Sequence, residues 1–146
     1  MEQPNTLKKL GDFADKSLLI VDDDNPFRER LARAMEKKGF TVTQAEGVKS
    51  GIESVKQIKP SFAVVDLRLG DGNGLEVVKE IQNSNLKSRV IMLTGYGNIP
   101  TAVAAIKEGA IDYLAKPADA DDVEKALLAE PNTKAQPPEN PMSADR

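Results

Sequence analysis

Asp22 and Asp23 close the apolar run Leu18-Leu19-Ile20-Val21, and a third carboxylate, Asp66, closes the run Phe62-Ala63-Val64-Val65. A short apolar run of this kind reads as a strand buried on both faces. Its last residue then emerges at the carboxyl edge of a parallel sheet, where open α/β folds bind ligands. An Asp-Asp pair alone reads equally well as a solvated turn or as charge at a helix N-terminus. The third carboxylate changes that balance, because like charges held together raise one another's pKa unless a cation neutralises them. Such a cluster suits Mg²⁺, which keeps several waters and takes one or two protein carboxylates plus phosphate oxygens. Mg²⁺ in turn implies a phosphoryl ligand.

Two further residues stand at strand ends. Lys116, followed by Pro117, ends the segment Ile111-Asp112-Tyr113-Leu114-Ala115, and Thr94 follows Val90-Ile91-Met92-Leu93. A lone lysine is usually a solvated charge and a lone threonine often a helix cap. From these ends, however, the ammonium reaches the same edge and neutralises a phosphoryl oxygen, and the hydroxyl donates to one. The Lys116-Pro117 bond in a tight turn is a candidate for a cis peptide that aims the lysine there. Metal, lysine and hydroxyl make a complete phosphoryl-stabilising set.

The elements that must position these residues alternate strand with helix five times. After the strand ending at Asp22, Asn25-Pro26 supplies an N-cap and a first-turn proline, and Phe27, Leu31 and Met35 stripe a helix that Gly39 stops. Phe40-Thr41-Val42-Thr43 continues as a strand, and Val48, Ile52 and Val55 mark a helix that ends before Pro60. Phe62 to Asp66 is the third strand, Gly70 to Gly74 a loop, and Leu75, Val78 and Ile81 stripe the third helix. The fourth strand leads into Thr94-Gly95-Tyr96-Gly97, and Pro100 opens a helix carrying Val103 and Ile106 up to Gly109. The fifth strand is followed by a helix with Val123 and Leu127 inward. This alternation predicts a doubly wound α/β fold, a five-stranded parallel sheet covered by helices on both faces. In the strand order 2-1-3-4-5, strands one and three are neighbours at the topological switch point, so Asp22, Asp23 and Asp66 converge.

Composition narrows the function. The 146 residues fit one domain with tails. Lys+Arg 20 against Asp+Glu 23 gives a net charge of -3, which offers no footprint for nucleic acid or an anionic membrane. No apolar stretch approaches a bilayer span, and Met1-Glu2-Gln3-Pro4 has neither the basic nor the apolar part of a signal peptide, so a cytoplasmic location is expected. The chain has no cysteine and no histidine, which excludes disulfides, thiolate metal sites, imidazole acid-base work and an internal phosphohistidine relay. Residues 1–16 read as a flexible arm in which Leu7, Leu10 and Phe13 are spaced for one amphipathic turn, and residues 130–146 as a proline-rich linker.

Over residues 17–129 the assembled pattern resembles the receiver domain of two-component response regulators, a flavodoxin-like or CheY-like (βα)5 fold. The resemblance implies that Asp66 is the phosphoacceptor and that Asp22, Asp23, Asp66 and the backbone carbonyl of Arg68 hold Mg²⁺, or Mn²⁺ in its place. It makes Thr94 the switch hydroxyl, Lys116 the phosphate-binding lysine and Tyr113 an aromatic rotamer switch, and it leaves Asp24 outside the pair as a solvated or helix-capping residue. Leu93-Thr94-Gly95-Tyr96-Gly97, Asp71-Gly72-Asn73-Gly74-Leu75 and the proline-rich tail are most similar to the RegA/ActR/PrrA subfamily of redox-responsive regulators. Members of that subfamily carry a helix-turn-helix DNA-binding domain after such a linker. None follows Arg146, so a truncated receiver is expected, one that does not itself bind nucleic acid or membrane. The implied partners are a sensor histidine kinase, the DNA-binding domain of the full-length protein, and a second copy of the chain on phosphorylation. Arg68 and Tyr96, two positions after Asp66 and Thr94, are expected to flank the phosphoryl group and slow its hydrolysis.

Rival readings are weaker. A Mg²⁺-dependent phosphohydrolase using an aspartyl phosphate wants a second acid two residues after the nucleophile, and that position is Arg68. A nucleotide or flavin module wants a glycine-rich phosphate loop after the first strand, where Asp22-Asp23-Asp24 stands instead. A stand-alone receiver acting by protein docking would use the same site. On either receiver reading the chain is a self-phosphorylating switch, not a turnover enzyme.

Overall fold

The two apolar runs that end at acidic residues are adjacent strands. In this computed structural model β1 (Ser17–Val21) and β3 (Phe62–Asp66) pair in parallel, Leu18 opposite Phe62 through Val21 opposite Val65. The structure describes residues 9–85, 87–95, 100, 103, 106, 107, 110 and 112–129. The remaining elements are α1 (Asn25–Lys37), β2 (Thr41–Ala45), α2 (Val48–Ile58), β4 (Arg68–Leu69), β5 (Gly72–Asn73), α3 (Leu75–Ser84), β6 (Arg89–Thr94), β7 (Asp112–Ala115) and α4 (Ala120–Leu128). The five-stranded sheet is parallel throughout, in the order β2-β1-β3-β6-β7. This is the expected 2-1-3-4-5 once the two short strands β4 and β5 are counted. Those two form an antiparallel pair, β4 just before the Gly70–Gly74 segment read as a loop and β5 within it. Residues 100, 103, 106 and 107 are helical, and Val103 and Ile106, the expected apolar positions of that helix, are 44% and 40% exposed.

Alternation along the strands builds two cores. Leu19, Val21, Ala63, Val65, Val90 and Met92 face α2 and α3, whose Val55, Val77, Val78 and Ile81 are fully buried. Leu18, Ile20, Phe62, Val64, Ile91 and Leu93 face α1 and α4 through Leu31, Met35, Val123 and Leu127. The central strands are apolar at every position but their ends because both faces are covered. Among the described residues no helix is long and apolar enough to cross a membrane.

Helix α1 starts one residue earlier than its cap was expected. Asp24, not Asn25, is the N-cap, its carboxylate accepting from the Phe27 amide at 3.1 Å. Helix α2 is capped from a distance, its Val48 and Lys49 amides donating to Asp71 at 2.7 and 3.2 Å. Of the arm expected over 1–16, residues 1–8 lie outside the described residues. In the rest, Leu10 opens a 3-10 turn and is buried, and Phe13 meets the Phe62 ring edge-on at 5.1 Å, so this part packs on the amino end of the sheet. Residues 130–146 also lie outside the described residues.

Candidate functional site

Strand pairing brings the acids together. Asp22 and Asp23 follow β1 and Asp66 ends β3, and with the two strand ends level, carboxylate oxygens of all three lie within 4.8 Å of one another. Asp22 is fully buried and Asp66 is 6% exposed, whereas Asp23 is exposed. Asp22 is bonded on every side. Its amide donates to the Ala45 carbonyl at 3.1 Å, its Oδ1 accepts from the Asp24 amide at 2.8 Å, and its Oδ2 accepts from Lys116 Nζ at 3.0 Å. Asp66 is less well supplied, accepting from the Arg68 amide and from Lys116 Nζ, each at 3.3 Å.

This imbalance sets the electrostatics. Burial, and then the neighbouring charge of Asp22, push the Asp66 carboxyl up to about 6 against the pull of Lys116 and the Arg68 amide. Burial also works against the Lys116 ammonium, but its hydrogen bond to Asp22 and the charges of Asp22 and Asp66 outweigh it and raise its pKa. One lysine thus answers two buried carboxylates. An all-oxygen donor set with one carboxyl whose pKa is raised by burial and a neighbouring acid fits a hard divalent cation, which would favour the ionised form of Asp66.

The remaining expected residues surround this cluster. Lys116 follows β7, its amide donating to the Thr94 carbonyl at 2.8 Å, and the Lys116–Pro117 peptide is cis. Thr94 is fully buried at the end of β6, and its hydroxyl donates to the Gly95 carbonyl at 3.2 Å rather than to Asp66. Tyr113 is half-buried in β7 opposite Met92 and packs on the core face that α2 and α3 cover. Arg68 lies in β4 with an exposed side chain. Tyr96 lies outside the described residues.

Three residues at the site escaped the sequence reading. Gly74 approaches β3 so closely that a Cβ there would stand 2.2 Å from the Asp66 carbonyl oxygen, and its amide donates to the Leu67 carbonyl at 2.8 Å. In a glycine-rich loop nothing separates this steric need from ordinary turn chemistry. Phe27 presents its ring 4.9 Å from Lys116 Nζ, a cation–π contact from a residue read only as core. Arg28 is buried on the face of α1 that also buries Leu31, Ala32 and Met35, and Nη1 donates to the Asp22 carbonyl at 2.8 Å. Its place on the inward stripe was the available signal.

Comparison with known proteins agrees with this geometry. A sequence model of the response regulator receiver domain matches residues 18–128. The acid tolerance regulatory protein ActR of Sinorhizobium medicae is 61% identical over 132 residues, which cover 90% of this chain and 68% of that protein. The photosynthetic apparatus regulatory protein RegA of Rhodobacter capsulatus is 59% identical over 133 residues, covering 91% and 72%. A crystal structure of a response regulator protein from Burkholderia pseudomallei, described as having a phosphorylated aspartic acid, calcium ion and citrate, superposes with a TM-score of 0.76 at 37% identity, covering 82% of this chain and 70% of that one.

Proposed function

The chain belongs to the response regulator receiver domain family, and we propose that it is a phosphoacceptor switch whose Asp66 takes a phosphoryl group from a sensor histidine kinase. The observation that carries this reading is the under-supplied Asp66 carboxylate, level with Asp22 and sharing the Lys116 ammonium with it at 3.0 and 3.3 Å. An Asp66 carboxylate oxygen attacks the phosphorus of a phosphohistidine. The new O–P bond forms as the N–P bond breaks, and the electron pair leaves with the imidazole nitrogen. Lys116 neutralises charge on the phosphoryl oxygens, and catalysis is otherwise positioning. Asp22, Asp23, Asp66 and the Arg68 carbonyl would hold Mg²⁺, or Mn²⁺, which supplies further charge neutralisation to the same oxygens. Arg68 and Tyr96 flank the group and slow its loss to water.

The acyl phosphate adds charge and acceptor oxygens at the Asp66 carboxylate. Thr94 turns its hydroxyl from the Gly95 carbonyl toward the phosphoryl group, and Tyr113 moves inward behind it. The exposed Val103 and Ile106, in the helical segment before β7, support a docking face there for a second copy or for an output domain. Residues 130–146 serve as the linker to a DNA-binding output domain. The relatives' names as regulatory proteins support a regulatory output; a transcriptional output and a cytoplasmic location are part of the proposal. The chain is a switch and not a turnover enzyme.

Intact-mass analysis after incubation with acetyl phosphate, with Mg²⁺ or with chelator, tests this. A single phosphoryl adduct that requires metal and disappears in Asp66→Asn is the expected result. No adduct in the parent chain, even with a phosphorylated histidine kinase as donor, overturns it in favour of a docking module.

A further inference from the structure

We propose that Arg28 is a positioning residue of the acidic pair, its buried guanidinium fixing the β1–α1 turn that carries Asp22 and Asp23. The inference rests on the metal-dependent reading above and deepens it. Arg28 is 6% exposed, on the α1 face that otherwise buries apolar side chains. A buried guanidinium costs several kcal/mol in desolvation, and an apolar residue of similar volume in such a slot is often as stabilising or more so. What distinguishes Arg28 is where its protons go. Nη1 donates to the Asp22 carbonyl at 2.8 Å and to Asn25 Oδ1 at 2.6 Å, and Nε donates to Gln44 Oε1 in β2 at 3.0 Å.

These bonds hold the turn at both ends and anchor it to the neighbouring strand. Within the turn, Asp22 Oδ1 is already taken by the Asp24 amide at 2.8 Å, and Asp24 is itself committed to the Phe27 amide at 3.1 Å. The backbone that aims the Asp22 and Asp23 carboxylates is therefore set by a chain of contacts that starts at Arg28. The guanidinium also lies 3.9 Å from the exposed Glu29 carboxylate, so what it gives the acids is the placement of their backbone. Groups that orient metal ligands in this way typically change metal affinity 10–100-fold when removed.

Arg28→Lys retains the charge without the planar fork, Arg28→Met removes both, and Gln44→Leu removes only the brace to β2. Each variant is titrated with Mg²⁺ by NMR, following the amide signals of residues 22–25, and its phosphorylation by acetyl phosphate is measured as a function of Mg²⁺ concentration. We expect the metal-free amide signals of the turn to shift in all three, and the Mg²⁺ dissociation constant to rise about tenfold in both Arg28 variants and by less in Gln44→Leu. The Mg²⁺ concentration for half-maximal phosphorylation should rise in parallel, with a smaller change in the limiting rate. Folded Arg28→Lys and Gln44→Leu proteins with turn signals and Mg²⁺ affinity like the parent overturn the inference, whether or not Arg28→Met folds. A parent chain that binds no Mg²⁺ and takes no phosphoryl group overturns the functional reading itself. A phosphorylated parent beside equally competent variants overturns only the role of Arg28.

Discussion

The two ends of one sheet treat a carboxylate in opposite ways. At the amino end, Asp15 accepts from the Ser17 amide and hydroxyl at 3.0 Å each and from the Ser61 hydroxyl at 2.8 Å. The Ser61 hydroxyl foremost holds its pKa below the ordinary range. At the carboxyl end, Asp66 has one amide and a shared ammonium, and burial beside Asp22 pushes it up to about 6. The same strands, β1 and β3, run between the two, so the difference lies first in burial, Asp15 being exposed and Asp66 covered, and then in the charges and donors that each end supplies. A carboxylate needed only for folding is met with hydroxyls and amides. One left short of donors beside a second buried acid is a place kept for positive charge from outside, at the cost of stability without it.

The sharpest way to break this comparison is to take away the ammonium that Asp22 and Asp66 share. Lys116→Met leaves Asp22 and Asp66 with no ammonium and a prospective phosphoryl group with no lysine. Removing one such electrostatic donor lowers the rate roughly 100-fold or more, to be read as adduct formation from acetyl phosphate at saturating Mg²⁺. A loss under tenfold would mean that Lys116 balances the resting acids and does little for the reaction.

The next effect appears in the metal-free protein as pH changes. The folded pKa of Asp66, about 6, lies above its unfolded value of about 4. The folded state therefore holds the extra proton, and this contribution to stability is full below about pH 4 and lost as pH rises through about 6. It is worth at most on the order of 2–3 kcal/mol. With no histidine in the chain, no other side chain of ordinary pKa has its midpoint between about pH 5 and pH 7.5. In chelator, thermal melts should lose several degrees between pH 5 and pH 7.5, and Asp66→Asn should flatten the profile and melt higher at neutral pH. Mg²⁺ reverses the sign, because it binds the ionised form, and its affinity should fall about tenfold per pH unit below about 6. A flat chelator profile in the parent would place Asp66 among ordinary carboxylates.

Gly74→Ala sharpens the comparison from the backbone side. Its Cβ would stand 2.2 Å from the Asp66 carbonyl oxygen and 3.0 Å from a Val65 methyl, so the end of β3 must move. A cost of about 1–3 kcal/mol is expected from denaturant unfolding, with slower phosphorylation and weaker Mg²⁺ binding at the displaced carboxylate. A variant that loses stability but keeps both functions would show that the acid cluster tolerates backbone shifts.

The sequence made the central sheet legible because β1, β3 and β6 are covered on both faces and so are apolar at nearly every position, leaving the acids conspicuous where the runs stop. What stayed hidden depended on contacts between distant segments. Asp71 looks like a turn residue, yet its carboxylate caps α2 more than twenty residues earlier in the chain. Asn25 and Asp24 are both good caps, and the choice fell on Asp24 while Asn25 accepts from Arg28 instead. Arg28 reads as a solvated helix charge until the inward stripe of α1 is followed residue by residue. The Thr94 hydroxyl, expected to serve a phosphoryl oxygen at this edge, donates to its neighbour's carbonyl, a local bond that a strand-level reading does not resolve.

The smallest effect is expected at the amino end, and it decides whether the two ends are independent. Asp15→Asn keeps one acceptor oxygen for the Ser61 hydroxyl and removes the charge. Because Asp15 is exposed, solvent screening limits the loss to roughly 0.5 kcal/mol at neutral pH. The pH dependence is opposite in sign to that of Asp66. A carboxyl held below its unfolded value stabilises above about pH 4 and loses that contribution as pH falls through its folded pKa. Parent and variant should therefore differ by a constant amount above pH 5 and converge in acid. Mg²⁺ affinity and adduct formation should match the parent, since nothing Asp15 touches reaches the other edge. A change of more than about twofold in either would mean that strain at the start of β1 and β3 is transmitted along both strands to Asp22 and Asp66, and that the two ends form one coupled unit.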